Sequence, residues 1–248
     1  MDLLVGFIFS FLRMLAAFIL SFGFAVAYGS KAAQSPRSER WMIPLLDLLQ
    51  SIPILGFFPA AIFVLMRLTG GGRFSAELAA IFLIFTSMAW NMAFSVFASI
   101  RGLPRSLLEM ASSFGIKEPL RFLHIVYPVC IPGLVFNSML SWAGGWYFLI
   151  ASEIIAVGPV KVELPGLGSY LMRAVERGDY IRALLGIAVL SAFTLAMDAL
   201  VWKPLRTWSR RFRLEEFGTD ETYENQRLVI YYRQSPWFRL IRRTLSGI

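Results

Sequence analysis

Very little in this 248-residue sequence can do covalent chemistry. It holds one cysteine, Cys130, and one histidine, His124. A lone cysteine in an apolar setting closes no disulfide framework. A single histidine without a cysteine partner leaves zinc with no ligand set, so no metal site is expected. The sequence has no Gly-x-x-x-x-Gly-Lys-Ser/Thr run, which excludes ATP hydrolysis by that phosphate-cradling loop. It also lacks a Gly-x-Ser-x-Gly elbow, a His-Glu-x-x-His helix and any repeat of solenoid length. No catalytic set and no cofactor are therefore expected. Charge is scarce as well: 16% of residues are Asp, Glu, Lys or Arg against 57% hydrophobic, and mean hydropathy is +0.62. A soluble domain carries about 25% charged residues, so the composition describes an integral membrane protein. The formal charge of +8 lies in loops and the tail rather than on one soluble face. It describes topology and not a nucleic-acid partner.

What is abundant is apolar sequence in runs that can span a bilayer, for which about 20 residues suffice. Such runs cover 3–29, 41–66, 75–100, 129–157 and about 181–202. The expected fold is an all-α integral membrane protein with about five transmembrane helices and a cytoplasmic helical hairpin. A cleaved signal peptide competes for the first run, given Ala25-Val-Ala27. Asp2 and the lack of an early Lys or Arg argue against it. Arg13 within that run is expected to face neighbouring helices. Asp47, Gln50 and Ser51 lie among Pro44, Pro53 and Pro59, which describes a broken helix facing protein or a water-filled path. A kink that only serves packing is equally open. Asn91 suits a hydrogen bond between helices, with a path role as the alternative. Ser138, Ser141 and Gly144-Gly145 allow close helix approach. Glu153 reads as a gate, a packing partner or an interfacial residue, and its late place in the span favours the last. Asp47, Gln50, Ser51, Asn91 and Glu153 are the candidates for a translocation path.

Between the third and fourth runs the chain turns polar. Arg101, Arg105, Glu109, Lys117, Glu118 and Arg121 fall in 21 residues, and charges at mid-bilayer are costly, so this segment lies at the surface. Pro104 can open a helix. Leu107, Leu108, Ala111 and Phe114 recur near helical spacing, and Gly115 can take the left-handed conformation that ends one. A second amphipathic stretch runs from Pro119 to Pro128. The pattern is helix, glycine turn, helix; the plain alternative is an ordinary interfacial loop.

Glu109, Ala111, Gly115, Ile125 and Pro128 resemble, at matching offsets, the EAA loop of ABC-importer permeases. Its pattern is Glu-Ala-Ala, three residues, Gly, nine residues, Ile-x-Leu-Pro. Met110 and Tyr127 depart from it. The resemblance implies a coupling helix that docks into a cleft on an ATP-binding subunit, with Leu108, Glu109, Ala111, Phe114, Gly115, Ile125 and Pro128 as coupling residues. Gln50-Ser-Ile-Pro53 resembles the corresponding span of nitrate, sulfonate and taurine-type permeases. Leu164-Pro-Gly-Leu-Gly-Ser-Tyr-Leu171 resembles the family's Gly-Leu-Gly-Tyr stretch, and the family places an acid in the context that Glu153 occupies. The implied function is the translocation subunit of an ATP-driven importer in the inner membrane. Its implied partners are a separate ATPase, a second permease copy or homologous permease, an extracytoplasmic solute-binding protein and membrane lipid. Nitrate, sulfonates, taurine and vitamin precursors are all open as solutes. A secondary carrier or channel using Arg13, Asp47 and Glu153 is the competing class, and a non-transporting scaffold a third. Family members commonly start one span earlier, which raises half of a tandem permease or an alternative start.

Orientation follows from Lys and Arg. Loop 30–41, segment 101–121 and 203–213 hold twelve, against six in 67–74 and 158–182. The bias places the EAA-like segment and the C-terminus in the cytoplasm, with the N-terminus outside. Two regions are expected: a permease domain over 1–203, with its coupling loop at 101–128, and a basic amphipathic cytoplasmic tail over 204–248. In that tail Arg206, Arg210, Arg211 and Arg213 can reach anionic headgroups.

Overall fold

The computed structural model describes residues 3–157 and 160–213. In hydrocarbon every backbone N–H and C=O must be satisfied within its own segment, and the apolar runs accordingly form long helices. Among the described residues, four continuous helical stretches are long and apolar enough to cross a bilayer: Leu3–Ala33, Arg73–Arg101, Glu118–Glu153 and Tyr180–Phe212. They contain α1 (Leu3–Ala33), α4 (Arg73–Arg101), α7 (Tyr127–Glu153) and α9 (Tyr180–Met197). The second apolar run folds as two helices, α2 (Pro36–Ser51) and α3 (Ile54–Thr69). Their axes turn through 104° at the break, so they count as one broken span or a re-entrant pair. Pro53, which cannot supply a helical N–H, stands at that break. The polar loop expected at 31–40 is shorter than its composition suggests. α1 runs on to Ala33, and Ser35 caps α2, its hydroxyl accepting the Ser38 N–H at 3.1 Å.

Between α4 and α7 lie α5 (Arg105–Ser113) and α6 (Glu118–Arg121). α6 runs without interruption through a wider π turn, Phe122–Val126, into α7. A second π turn, Asp198–Trp202, joins α9 to α10 (Lys203–Ser209). Both π turns sit just before an x-Pro pair, Tyr127-Pro128 and Lys203-Pro204. A proline ring crowds the carbonyl four residues back, and widening the preceding turn relieves it. The fourth apolar run, expected to reach residue 157, leaves the helix after Glu153 and enters a small antiparallel hairpin. β1 (Ile154–Val157) pairs with β2 (Val160–Glu163), and Ile154 lies opposite Glu163. Helix α8 (Leu167–Glu176) follows.

The core lies where α1, α4 and α7 meet. Met14, Met88 and Met92 are fully buried, flexible thioethers filling the space between small residues. Ser21 Oγ donates to Phe85 O and Ser141 Oγ to Met88 O, each at 3.2 Å, bonds that tie helices together in lipid. Phe193 of α9 packs on Phe7, Phe11 and Trp146 with centroids 4.9–5.6 Å apart, an edge-on geometry that aromatic quadrupoles favour. Of the tail expected from 204 onward, 204–212 continue the last helical stretch, and 214–248 lie outside the described residues.

Candidate functional site

Two sites stand at opposite ends of α7. At the first, α5 ends in a Schellman motif. Gly115 has φ +71°, its N–H donates to Ser112 O at 2.9 Å, and the Ile116 N–H reaches back to Ala111 O at 3.1 Å. A Cβ at Gly115 would meet no atom within 4 Å, so the demand for glycine comes from backbone conformation and not from space. The turn aims Phe114 outward, 77% exposed, beside Met110 at 49%. Glu109 is exposed on the same short helix.

The apolar stripe read from spacing divides here. Ala111 is buried at 3% and Leu107 and Leu108 are half-buried, so they hold α5 in place. Phe114 leaves the stripe because it stands at the C-cap, beyond the last helical turn. On the second limb Leu120 and Leu123 are exposed, whereas Ile125 and Pro128 are half-buried. Met110, Leu120 and Leu123 were missed by sequence reasoning. Met110 lies one helical turn before Phe114, and that spacing was the available signal.

At the other end α1, α4 and α7 enclose an ion cluster. Glu153 is 0% exposed and Arg13 is 3% exposed. Arg13 Nη1 donates to Glu153 Oε1 at 2.7 Å. Its Nε and Nη2 take both oxygens of Glu77 at 2.5 and 2.8 Å, the fork geometry in which arginine binds carboxylate. Nη2 also donates to Pro165 O at 2.8 Å. Glu153 accepts further bonds from the Ser10 hydroxyl and, at 2.6 Å, from the Gly168 N–H, while Ser10 Oγ accepts the Leu167 N–H at 2.8 Å.

The Pro165–Gly168 segment thus wraps the carboxylate with backbone. A Cβ built on Gly166 would stand 2.1 Å from Glu153 Cδ, so a side chain there displaces the acid. Glu153 is buried rather than solvent-facing: both of its oxygens are bonded within its own chain.

The remaining path candidates are not joined to it. Gln50 Nε2 donates to Asp47 Oδ1 at 2.8 Å and Ser51 Oγ to Asp47 O at 2.7 Å, all within one stretch of α2. Asn91 lies on α4, exposed. Among the described residues none of the four bonds to Glu153. Sequence reasoning missed Glu77 altogether. Among the described residues no group of three or more His, Cys, Asp or Glu could hold a metal ion.

Long apolar helices, a hairpin between two of them and a buried ion cluster at the opposite end describe a multi-pass membrane protein. The chain belongs to the family of binding-protein-dependent transport system inner membrane components, whose pattern matches residues 19–201. It is accordingly a permease component of the ABC-importer type. Its relatives include SsuC of Bacillus subtilis, a permease protein named for aliphatic sulfonates transport. The two are 24% identical over 206 residues, 82% of this chain and 70% of that protein. The bicarbonate transport system permease protein CmpB of Synechococcus elongatus is 22% identical over 82% of this chain and 68% of its own length. The nitrate import permease protein NrtB of Synechocystis is 20% identical over 64% and 52%. These relatives are the nitrate and sulfonate kind that the motifs resemble. The fold is shared with the MetNI methionine ABC transporter in an inward-facing conformation, at TM-score 0.61 and 16% identity. That match covers 82% of this chain and 94% of the MetNI chain.

Proposed function

We propose that this chain is one half of the membrane pathway of an ABC importer for a small oxyanion, driven by a separate ATPase that docks on the α5–α6 hairpin. A second permease copy or a homologous permease completes the pathway, and a solute-binding protein delivers the cargo from outside. The relatives named for sulfonates, bicarbonate and nitrate support the solute class. The observation that supports the coupling role is the Gly115 turn, which leaves Phe114 and Met110 exposed on a hairpin continuous with a span. Large apolar side chains presented outside the membrane mark a protein partner. ATP binding would close two ATPases, and the hairpins would carry that movement to the helices as rigid-body alternation of access. Asp47, Gln50, Ser51 and Asn91, all exposed on the single chain, would line the path between the paired permeases. Glu153 would act on it only by holding the 165–168 segment.

Gly115 supplies the test. Valine there must adopt φ near +71°, at a cost on the order of a kcal/mol or more. Asparagine tolerates that region. Gly115→Val is expected to insert normally and to lose ATPase association and ATP-driven uptake, whereas Gly115→Asn keeps most of both. Glu109→Lys is expected to fail like the valine variant by reversing charge at the docking face. A carrier that needs no ATPase would lose little in either. Full coupling and full uptake by Gly115→Val and Glu109→Lys, at equal membrane abundance, would reject the importer mechanism.

A further inference from the structure

Where the chain enters its last span, α8 and α9 form a hairpin that encloses a basic hollow. Its turn is of the Gly115 kind: Gly178 has φ +69°, its N–H donates to Val175 O at 3.0 Å, and the Asp179 N–H reaches Ala174 O at 2.9 Å. Tyr170, Arg173, Ala174, Arg177, Asp179 and Arg182 line the hollow, so three guanidinium groups share it with one carboxylate. Asp179 is already engaged, accepting the Arg182 N–H at 3.1 Å and pairing with the Arg182 side chain at 3.2 Å. Arg173 donates to Ser169 O at 3.1 Å and comes no nearer than 3.8 Å to Glu163. Arg177 is exposed and has no hydrogen-bond or ion-pair partner among the described residues. Positive charge is therefore left over in the hollow.

The hollow stands at the mouth of a span. Tyr180–Phe212 is a candidate crossing, and Arg182 lies in its first turn, at headgroup depth. Tyr180 beside it is 73% exposed, a residue type that settles at that depth. Among the described residues this crossing is the least covered by its own chain: 6% of its apolar window is buried, against 28–50% in the other three. Leu185 stands one helical turn deeper than Arg182, with Ile181 and Leu184 alongside, and the three are 52–74% exposed. A cationic hollow thus adjoins an uncovered apolar face, in the same order as the headgroup and acyl chains of a phospholipid.

A guanidinium meets a phosphate through two parallel N–H···O bonds. Exposed ion pairs in water add little, so a free anion gains no lasting hold on such a hollow. A phosphate that its acyl chains already keep in the bilayer meets the arginines at a high effective concentration. We propose that the Arg173–Arg177–Arg182 hollow is a headgroup site for an anionic phospholipid, with the phosphate among the guanidinium groups and the acyl chains along α9. Such a headgroup is met at either face of a membrane, so the site stands apart from the importer reading.

The test offers the full chain in detergent equal amounts of phosphatidylglycerol and phosphatidylcholine with the same acyl chains. Native mass spectrometry then reads which lipid stays bound. The wild type is expected to retain phosphatidylglycerol in preference. Arg177→Gln, which breaks no hydrogen bond or ion pair among the described residues, is expected to lower that preference about fivefold, and R173Q/R177Q/R182Q to abolish it. The charge-matched R37Q/R40Q/R73Q variant is expected to keep the wild-type preference. Equal loss in the two triple variants would reduce the effect to diffuse charge and overturn the site. Equal retention of the two lipids by the wild type would overturn it directly. Displacement of phosphatidylglycerol by glycerol phosphate at matched concentration would make the hollow a small-anion site. Lipid retained on monomers and excluded from dimers would make the α9 face a contact between copies of this chain. Either of these results also overturns the proposal.

Discussion

Arg13 holds a buried ion cluster together. It is 3% exposed and is the one cation of a cluster with two carboxylates, of which Glu153 is 0% exposed and Glu77 is 27% exposed. Breaking a buried pair by removing one partner costs about 3–5 kcal/mol, because the other charge is left without water or counter-ion. Arg13→Leu is therefore expected to lose about that much stability. Glu77→Gln should lose little, since its end of the cluster can hydrate. Adding Glu153→Gln to Arg13→Leu should recover part of the loss, because the stranded charge is gone. Thermal unfolding of the detergent-solubilised chain, followed by size-exclusion chromatography, reads all three. Equal loss in Arg13→Leu and Glu77→Gln would show that burial does not set the order. The sequence made Arg13 and Glu153 conspicuous separately, as the one cation of residues 3–29 and the one acid of residues 129–157. That symmetry was the signal that they pair. What no local pattern could give was a contact across 140 residues, or the part of Glu77, whose place near the start of α4 makes it look like a headgroup residue.

Helices reveal themselves more readily, because hydrophobic runs and proline breaks are local facts. The four long crossings, the break at Pro53 and the Gly115 turn were all legible. The π turns were not, since they answer a clash one turn before Pro128 and Pro204. The β1–β2 hairpin was not, since its strands are four residues each. How tightly helices approach is likewise invisible in composition: Gly29 and Gly144 look alike as glycines of apolar spans, yet their surroundings differ. A Cβ at Gly29 of α1 would lie 2.6 Å from Ala93 O on α4, whereas at Gly144 nothing comes within 4 Å. Gly29→Leu is expected to separate α1 from α4 and sharply reduce the yield of folded protein. Gly144→Leu should leave yield and melting temperature within error of the wild type. Similar behaviour of the two variants, measured by fluorescence-detected size exclusion, would contradict the close α1–α4 approach.

On the scale of the whole molecule, the hairpin at Gly115 and the turn at Gly71 stand at opposite ends of α4. Single cysteines at Ser113 and Gly71 are expected to react from opposite sides of the membrane, Ser113→Cys from the cytoplasm. The native Cys130, 3% exposed, should remain silent. Labelling of both from one side would break the topology, and reversed sides would put the Gly115 hairpin out of reach of any cytoplasmic ATPase. The uninterrupted stretch Glu118–Glu153 gives this topology a mechanical meaning. Its 36 residues make a rod about 54 Å long at about 1.5 Å per residue. One end is the second limb of the surface hairpin. The other ends in an acid gripped by Ser10, Arg13 and Gly168. A rod pinned at one end is a lever with its fulcrum there, and a tilt of roughly 5° sweeps the free end through about 5 Å. In the proposed importer the gripped acid would fix where the stroke is zero, and the hairpin would sit where it is greatest.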